Sequence, residues 1–218
     1  MKKFLAILLS VLLVSALFIS CGKKEAPAAP AAPAAPAAPA APAAPVVPVT
    51  PAVKEVVFRI SNGAEPESLD PALIQGVPEH RIYQAIFEGL VAYDPETSFA
   101  VPGVAESWTS NDDGTQYTFK LRKNAVWSDG TPITADDVVY SWLRILAPET
   151  GGPYAWFPAM FLVGAEEYTS GAAGPEAVGI RALDDHTFQM DLIGPLPYAV
   201  DALAHYSFAI VPKHAIEK

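Results

Sequence analysis

The sequence predicts an α+β fold, because strand and helix patterns alternate along the chain in locally paired units. Two stretches of alternating apolar residues flank polar turns, at 105–122 and 178–192, which is typical of antiparallel hairpins. Apolar residues recur at helical spacing near 80–88 and 134–146. No repeat of fixed length runs through residues 54–218. A single domain of locally paired strands with helices between them is therefore expected.

Residues 1–20 have the layout of a secretory signal peptide. Two lysines precede an uncharged apolar run that ends at Ser20, as in the basic and hydrophobic regions of such signals. Cys21 is the only cysteine and stands where that run stops, which resembles a bacterial lipoprotein cleavage site. We therefore expect lipidation of Cys21. The alternative is an uncleaved transmembrane anchor, since the apolar run of about 17 residues reaches the lower limit for a spanning helix.

Residues 21–53 are predicted to hold the lipid-anchor cysteine and a disordered linker. The triplet Ala-Ala-Pro repeats between Pro27 and Pro45. Proline at every third position removes backbone donors and keeps the preceding residue out of the helical region. Such a segment favours extended polyproline II conformations, with a rise of about 3.1 Å per residue. We therefore expect a stalk between the anchor and the folded part.

The folded part is strongly acidic. From residue 53 onward the chain has 10 basic and 23 acidic side chains, a formal charge of −13. Nucleic acid is excluded as a partner, because its binding requires a basic surface. Broad contact with anionic lipid beyond the anchor is disfavoured for the same reason.

The folded part is predicted to begin with a strand, a loop and a helix. Residues 54–61 alternate apolar and polar side chains, which predicts a short strand with Val56, Phe58 and Ile60 on one side. Residues 62–79 are rich in Gly, Pro, Asn and Asp, which predicts an extended loop. A helix should follow and stop at Gly89. Its expected apolar face consists of Ile82, Ala85, Ile86 and Phe87.

The two hairpins have clear inward faces. In the first, Asp113-Gly114 forms the bend, and the apolar residues of the returning strand are Tyr117, Phe119 and Leu121. In the second, Val178, Ile180 and Ala182 should face Phe188, Met190 and Leu192. The polar turn of the second hairpin, residues 184–186, contains two aspartates and a histidine. We interpret it as a solvated turn and expect no metal site.

The segment NAVWSDGTPITADDVVYSW, residues 124–142, has three aspartates that could belong either to an active site or to a structural joint. Asp129 lies in an Asp-Gly turn. Thr134 and Asp137 have the spacing of a capping box at the start of a helix. Asp136 and Asp137 are adjacent on that helix and point about 100° apart, so they cannot act as a paired acid and base. The segment predicts a joint, and the chain is not expected to be an enzyme.

At this segment the chain resembles a known family. LRKNAVWSDGTPITADDVVYSW is similar to the signature of the extracytoplasmic solute-binding proteins of peptide ABC transporters, the oligopeptide- and dipeptide-binding family. Other segments match that family in order and spacing: EPESLDPALIQGVPEHRIYQAIFEGL, PGVAESW, GPYAWF, IRALDDHTFQMDL and IVPKHAIEK. The resemblance covers residues 54–218.

The resemblance implies part of a periplasmic-binding-protein type II-like fold, in which two lobes close on an extended peptide. It identifies the chain as an N-terminal fragment with the second lobe missing. Residues 54–89 would begin the first lobe, 90–211 would form an α+β subdomain inserted in it, and 212–218 would be a truncated return to it. No cofactor is implied, and the sequence has no nucleophile, zinc or phosphate-binding motif.

The resemblance also implies the ligand-binding residues. Gln75, Gly76 and Val77 match a stretch whose backbone lies along the bound peptide, where a glycine allows close approach. Tyr154 matches a cleft tyrosine that packs on the ligand and forms a hydrogen bond with it. His205 is a further candidate at the cleft wall, with a purely structural role as the alternative.

The implied function is that of the substrate-binding component of an ABC importer. It would capture extracellular or periplasmic peptides, above all oligopeptides, and deliver them to the permease subunits. We expect a monomer, held by its lipid anchor on the periplasmic or cell-surface side of a bacterial membrane. The alternative is a truncated surface lipoprotein with an adhesion or sensing role and no transport activity.

Overall fold

The computed structural model describes residues 56–218, and Val57–Lys218 forms one compact unit. The predicted signal peptide, Cys21 and the Ala-Ala-Pro linker lie outside the described residues. The helices are α1 (Val77–Ile86), α2 (Ala135–Leu146), α3 (Trp156–Ala159), α4 (Ala165–Thr169), α5 (Ala199–Ala202) and α6 (Lys213–Ile216). Short 3-10 helices span Pro148–Thr150, Pro175–Ala177 and Tyr206–Phe208.

The strands form two antiparallel sheets. They are β1 (Val91–Tyr93), β2 (Ala100–Pro102), β3 (Ala105–Ser110), β4 (Gln116–Leu121), β5 (Ile180–Asp184) and β6 (Thr187–Asp191). β1 pairs with β2, and the larger sheet has the strand order β3-β4-β6-β5. Mixed helices and antiparallel strands confirm the predicted α+β class.

Both predicted hairpins are confirmed. β3 pairs with β4 around the Asp113-Gly114 bend, and the Asn111 N–H donates to the Gln116 carbonyl at 3.0 Å to close it. In the second hairpin Ile180 lies opposite Met190 and Ala182 opposite Phe188. The second hairpin joins the first through β4 and β6. The alternation of side chains thus puts one apolar face of the sheet towards the core.

The capping box at the start of α2 is also confirmed. The Thr134 N–H donates to the Asp137 carboxylate at 3.0 Å, and the Thr134 side chain accepts from the backbone of the third helical residue. In the preceding turn, the Asp129 carboxylate accepts from the Thr131 N–H at 2.9 Å. Asp136 is exposed while Asp137 is buried. These aspartates therefore form a joint between a turn and a helix.

The main core lies between the four-stranded sheet and α2. Trp142 is fully buried, and its ring centre lies 4.9 Å from that of Phe188 in β6 and 4.9 Å from that of Phe208. The Trp142 indole N–H donates to the Phe208 carbonyl at 3.1 Å. Other fully buried large side chains include Phe119, Leu90, Leu121, Leu146, Leu162, Met190, Leu203 and Ile210.

The predicted strand at 54–61 is wrong over the residues that the structure describes. Residues 56–61 form no strand, and Val56, Phe58 and Ile60 are 90%, 86% and 71% exposed. A strand needs neighbours that satisfy its backbone groups and cover its apolar face. No strand within residues 57–218 pairs with this segment.

The helix that follows differs from the prediction in its ends and in its face. α1 begins at Val77, with proline in its first turn, and ends at Ile86, before Gly89. It buries Glu79 and Tyr83, whereas Ile86 is 63% exposed. The helical spacing of apolar residues predicted the position of the helix correctly. It did not predict the buried face, because Tyr83 and Glu79 have polar ends and were not counted as core residues.

Candidate functional site

Tyr206 is the centre of a group of aromatic rings that we call the aromatic cluster: His80, Tyr83, Tyr154, His205 and Tyr206. The Tyr206 ring centre lies 3.9 Å from that of His205, 5.3 Å from that of Tyr154 and 5.6 Å from that of His80. Tyr83 lies 6.3 Å from Tyr206 with its ring edge-on. The cluster therefore joins α1, the segment before α3 and the 3-10 helix at Tyr206.

The loop before α1 touches this cluster. The Tyr206 hydroxyl donates to the Gln75 carbonyl at 3.5 Å, at the long limit of a hydrogen bond. Gln75 and Val77 are exposed, while Tyr154 and His205 are half-buried. Of the five residues expected to bind ligand, the structure thus places Gln75, Tyr154 and His205 in contact with Tyr206, and Gly76 and Val77 follow Gln75 along the chain. Whether they bind a ligand stays a prediction.

Gly76 is the N-cap residue of α1 and has an extended backbone conformation. A Cβ atom there would overlap a carboxylate oxygen of Glu79, which folds back over the helix N-terminus. The other Glu79 oxygen accepts from the Glu67 N–H at 2.8 Å. Hydrogen bonds from backbone N–H groups, the Glu67 one first, lower the pKa of the Glu79 carboxyl. The contact with the Glu79 carboxylate therefore explains glycine at position 76 without the approach of a ligand backbone.

His205 has a structural contact of its own. Its Nδ1 accepts from the Ser207 N–H at 3.2 Å and lies 2.9 Å from the Ser207 hydroxyl. It thereby caps the 3-10 helix Tyr206–Phe208. Phe157 packs edge-on against its ring at 5.1 Å. The structural alternative for this histidine is therefore supported, and its imidazole still borders Tyr154.

The cluster presents hydrogen-bonding groups and ring faces with little charge. Burial and the neighbouring His80 lower the pKa of His205 to about 4, and burial also lowers the pKa of His80. Burial raises the pKa of the Tyr83 and Tyr206 hydroxyls. At neutral pH the histidines are neutral and the hydroxyls keep their protons. Such a surface suits the dipoles of peptide groups.

The lowered pKa of His205 predicts a loss of stability in mild acid. The unfolded chain takes up this proton near pH 6.5, whereas the folded chain takes it up only near pH 4. The contribution of neutral His205 to the free energy of unfolding is therefore complete above pH 6.5 and is lost as the pH falls towards 4. We expect the free energy of unfolding to drop by about 1 kcal/mol between pH 7.5 and pH 5, allowing for solvent screening of a half-buried group.

Urea denaturation at the two pH values measures this drop. His205→Asn is the matched variant, since its side-chain oxygen can still accept from the Ser207 N–H. This variant should lose most of the His205 contribution and keep that of His80. An unchanged pH dependence in His205→Asn would contradict the assignment.

Sequence reasoning missed three members of the cluster: His80, Tyr83 and Tyr206. His80 and Tyr83 are one helical turn apart in α1, and that spacing was the available signal. Nothing in the sequence brings Tyr206 to them, apart from its position beside His205.

Other candidate chemistry gives no site among residues 56–218. No group of three or more acidic, histidine or cysteine side chains in this range could hold a metal ion. The Asp184 carboxylate accepts from the His186 N–H and the Thr187 hydroxyl, both at 2.8 Å, which makes residues 184–186 a hairpin turn. Within the same range, no helix has the length and apolar character needed to cross a membrane.

Comparison with known families gives an answer consistent with this geometry. A model of the bacterial extracellular solute-binding proteins, family 5, middle region, matches residues 100–218, more than half of the chain. The chain belongs to this family. As a family 5 protein, it shares with its relatives part of the fold of the type II periplasmic binding proteins, as the sequence predicted.

Individual relatives are similar to this family 5 chain over its folded part. The periplasmic oligopeptide-binding protein OppA of Escherichia coli K12 is 46% identical over 168 residues, which are 77% of this chain and 30% of that protein. The periplasmic murein peptide-binding protein MppA of the same organism is 46% identical over 154 residues, 70% of this chain and 28% of that protein.

A solved structure extends the similarity to three dimensions. Haemophilus influenzae OppA in complex with the peptide RPPGFSPFR superimposes with a TM-score of 0.69 at 40% identity, over 72% of this chain and 30% of that chain. The chain therefore spans about 30% of the length of the relatives that it matches. The boundaries at 54–89, 90–211 and 212–218 stay predictions.

Proposed function

We propose that this chain is the substrate-binding component of an ABC importer, which captures peptides, above all oligopeptides, and delivers them to permease subunits. The observation that carries the proposal is the meeting of the Gln75–Val77 loop with Tyr154 around Tyr206. The relatives are periplasmic oligopeptide- and murein peptide-binding proteins, and one is solved with a nine-residue peptide. They favour transport over the adhesion or sensing alternative.

The geometry fits recognition of an extended peptide backbone. Gln75 and Gly76 precede α1 and Val77 is its first residue, and this stretch is largely exposed. An extended peptide laid beside this loop would exchange main-chain hydrogen bonds with it, as in strand addition. The half-buried Tyr154 would supply a ring face and a hydroxyl at the edge of that path. No step of a chemical reaction is required of any of these residues.

The described residues would form one wall of a cleft, so binding to this chain alone should be weak. We expect millimolar affinity for a short neutral peptide such as tetra-alanine, because closure of two lobes supplies the rest of the binding free energy. Nuclear magnetic resonance of the isotope-labelled 218-residue protein measures this. The amide shifts should cluster at Gln75, Gly76 and Val77, with ring shifts at Tyr154.

Two variants of Tyr154 separate its ring from its hydroxyl. Tyr154→Phe keeps the packing against Tyr206 and should weaken binding about threefold, the cost of one modest hydrogen bond. Tyr154→Ala removes the ring face and should weaken binding about tenfold. Shifts confined to residues outside this site, such as the Asp113-Gly114 bend, would overturn the proposal. Micromolar affinity for the chain alone would overturn the requirement for a second wall.

The location that we propose is the periplasmic or cell-surface side of a bacterial membrane. The relatives named above are periplasmic, which supports the location. Lipidation of Cys21 and a stalk formed by the Ala-Ala-Pro repeat are supported by the sequence pattern alone. We propose a monomer, as the family resemblance implies.

A further inference from the structure

A concave region lies beside Trp156, the neighbour of Tyr154. It is a cavity of about 380 Å³ between α3 and α4, lined by Trp156, Ala159, Met160, Glu166, Thr169 and Ser170. Ligand sites for small molecules usually occupy about 300–1,000 Å³. The cavity therefore has room for one long side chain and little more. We call it the Trp156 cavity.

The Trp156 cavity adjoins the candidate site through neighbouring aromatic rings. The Trp156 ring centre lies 5.8 Å from that of Tyr154, which in turn lies 5.3 Å from that of Tyr206. A peptide that follows the Gln75–Val77 loop and passes Tyr154 would thus have one residue beside Trp156.

The walls of the cavity are apolar and unusually exposed. Trp156 is 54% exposed and Met160 is 58% exposed, although both are large apolar side chains. Large apolar groups left open to water in one concave place are typical of ligand and partner sites. An aliphatic stem would gain free energy by covering them.

The polar side chains at the cavity are one carboxylate and two hydroxyls, and the Ser170 hydroxyl already donates to the Glu167 carbonyl at 3.1 Å. Glu166 adds an exposed carboxylate, and the Thr169 Oγ1 atom is buried without a hydrogen-bond partner among the described residues. No basic side chain lines the cavity. A ligand group with several N–H donors and a positive charge would pair with the Glu166 carboxylate.

We propose that the Trp156 cavity is a subsite for an arginine side chain of the bound peptide. The planar guanidinium would stack on the Trp156 indole and donate to the Glu166 carboxylate, with the aliphatic stem along Met160. A lysine would keep the charge but lose the flat stacking and the forked donors. This proposal rests on the proposed function, because the peptide backbone must first lie at Tyr154.

The charge of the folded part acts in the same direction. Residues 53–218 have a formal charge of −13, which draws cationic peptides towards the protein from any side. That attraction is not specific to the cavity, so the test must separate the two effects. Glu166 and Glu167 make this possible, because both are exposed in α4 and only Glu166 lines the cavity.

The test uses two peptides with the 218-residue protein, Ala-Ala-Arg-Ala and Ala-Ala-citrulline-Ala. Citrulline has nearly the shape of arginine and no charge. We expect the arginine peptide to bind about tenfold more tightly in a nuclear magnetic resonance titration. The indole N–H of Trp156 and the amide of Thr169 should shift only with arginine. Glu166→Gln should reduce the preference to about twofold, and Glu167→Gln should leave it near tenfold.

Any of three other results would overturn the arginine subsite. An equal reduction in Glu166→Gln and Glu167→Gln would show general charge attraction. Shifts at Gly76 and Tyr154 with both peptides, without shifts at Trp156 and Thr169, would remove the subsite and leave the proposed function standing. If neither peptide shifts the signals of Gly76, Tyr154, Trp156 or Thr169, the proposed function is overturned as well.

Discussion

Trp142→Ala should reduce the free energy of unfolding by about 3–5 kcal/mol, the range for loss of a large aromatic side chain from a core. Trp142 is fully buried between Phe188 of the sheet and Phe208 of the 3-10 helix, with both ring centres 4.9 Å away. The substitution would leave a cavity between them. It would also leave the Phe208 carbonyl without the indole N–H that donates to it.

The measurement is urea denaturation followed by circular dichroism. Trp156→Ala is the matched control, because it removes the same side chain from a position that is 54% exposed, and it should cost less than about 1 kcal/mol. If Trp142→Ala does not fold, Trp142→Phe keeps a ring and loses only the N–H donor and part of the volume. Equal stabilities of the two alanine variants would contradict the position of Trp142 as the centre of the core.

The features that sequence predicted correctly depend on contacts between near neighbours. The capping box joins Thr134 to Asp137, three positions apart. Each hairpin likewise pairs strands on the two sides of one short turn. In these cases the residues that determine the local structure lie close together in one segment of the sequence.

The features that sequence mispredicted depend on distant partners. The alternation of residues 56–60 is that of a strand, yet a strand forms only where another strand pairs with it. The buried face of α1 is set by Tyr206, which lies far along the chain from Tyr83. A tyrosine and a glutamate on a helix usually indicate an exposed face. Here Tyr83 is buried because it packs against Tyr206, and Glu79 is buried because it accepts a hydrogen bond from the Glu67 N–H.

The candidate site was predictable only in part. The family resemblance indicated Gln75, Gly76, Val77, Tyr154 and His205, and in the structure Gln75, Tyr154 and His205 contact Tyr206. Their arrangement depends on Tyr206, whose contact with Gln75 joins residues 131 positions apart. The Trp156 cavity likewise depends on how α3 and α4 pack, and no spacing within either short helix reveals it.

Gly164→Ala should be strongly destabilising, by about 3 kcal/mol or more, because two separate costs add. Gly164 has a φ of +69°, in the left-handed region where a side chain costs about 1–2 kcal/mol. A Cβ atom there would also overlap the Ala177 carbonyl oxygen and lie 2.6 Å from the carbonyl carbon. Backbone atoms cannot rotate away as a side chain can.

Gly171→Ala separates the two costs. Gly171 follows α4 with a φ of +75°, and a Cβ atom there would meet no other atom within 4 Å. It should lose only about 1–2 kcal/mol, from the backbone conformation alone. Urea denaturation of both variants measures the difference, which reports the overlap with Ala177. Equal losses would show that the loop relaxes without cost.

The consequence of Gly164→Ala should extend to the Trp156 cavity. Gly164 is the N-cap residue of α4, and the neighbouring Val163 carbonyl accepts from the Gly179 N–H at 2.8 Å at the start of the second hairpin. Moving this backbone would shift Glu166 and Thr169 relative to Trp156. We therefore expect Gly164→Ala, where it still folds, to lower the arginine preference, and Gly171→Ala to preserve it. An unchanged preference in folded Gly164→Ala would show that α4 keeps its place without this close contact.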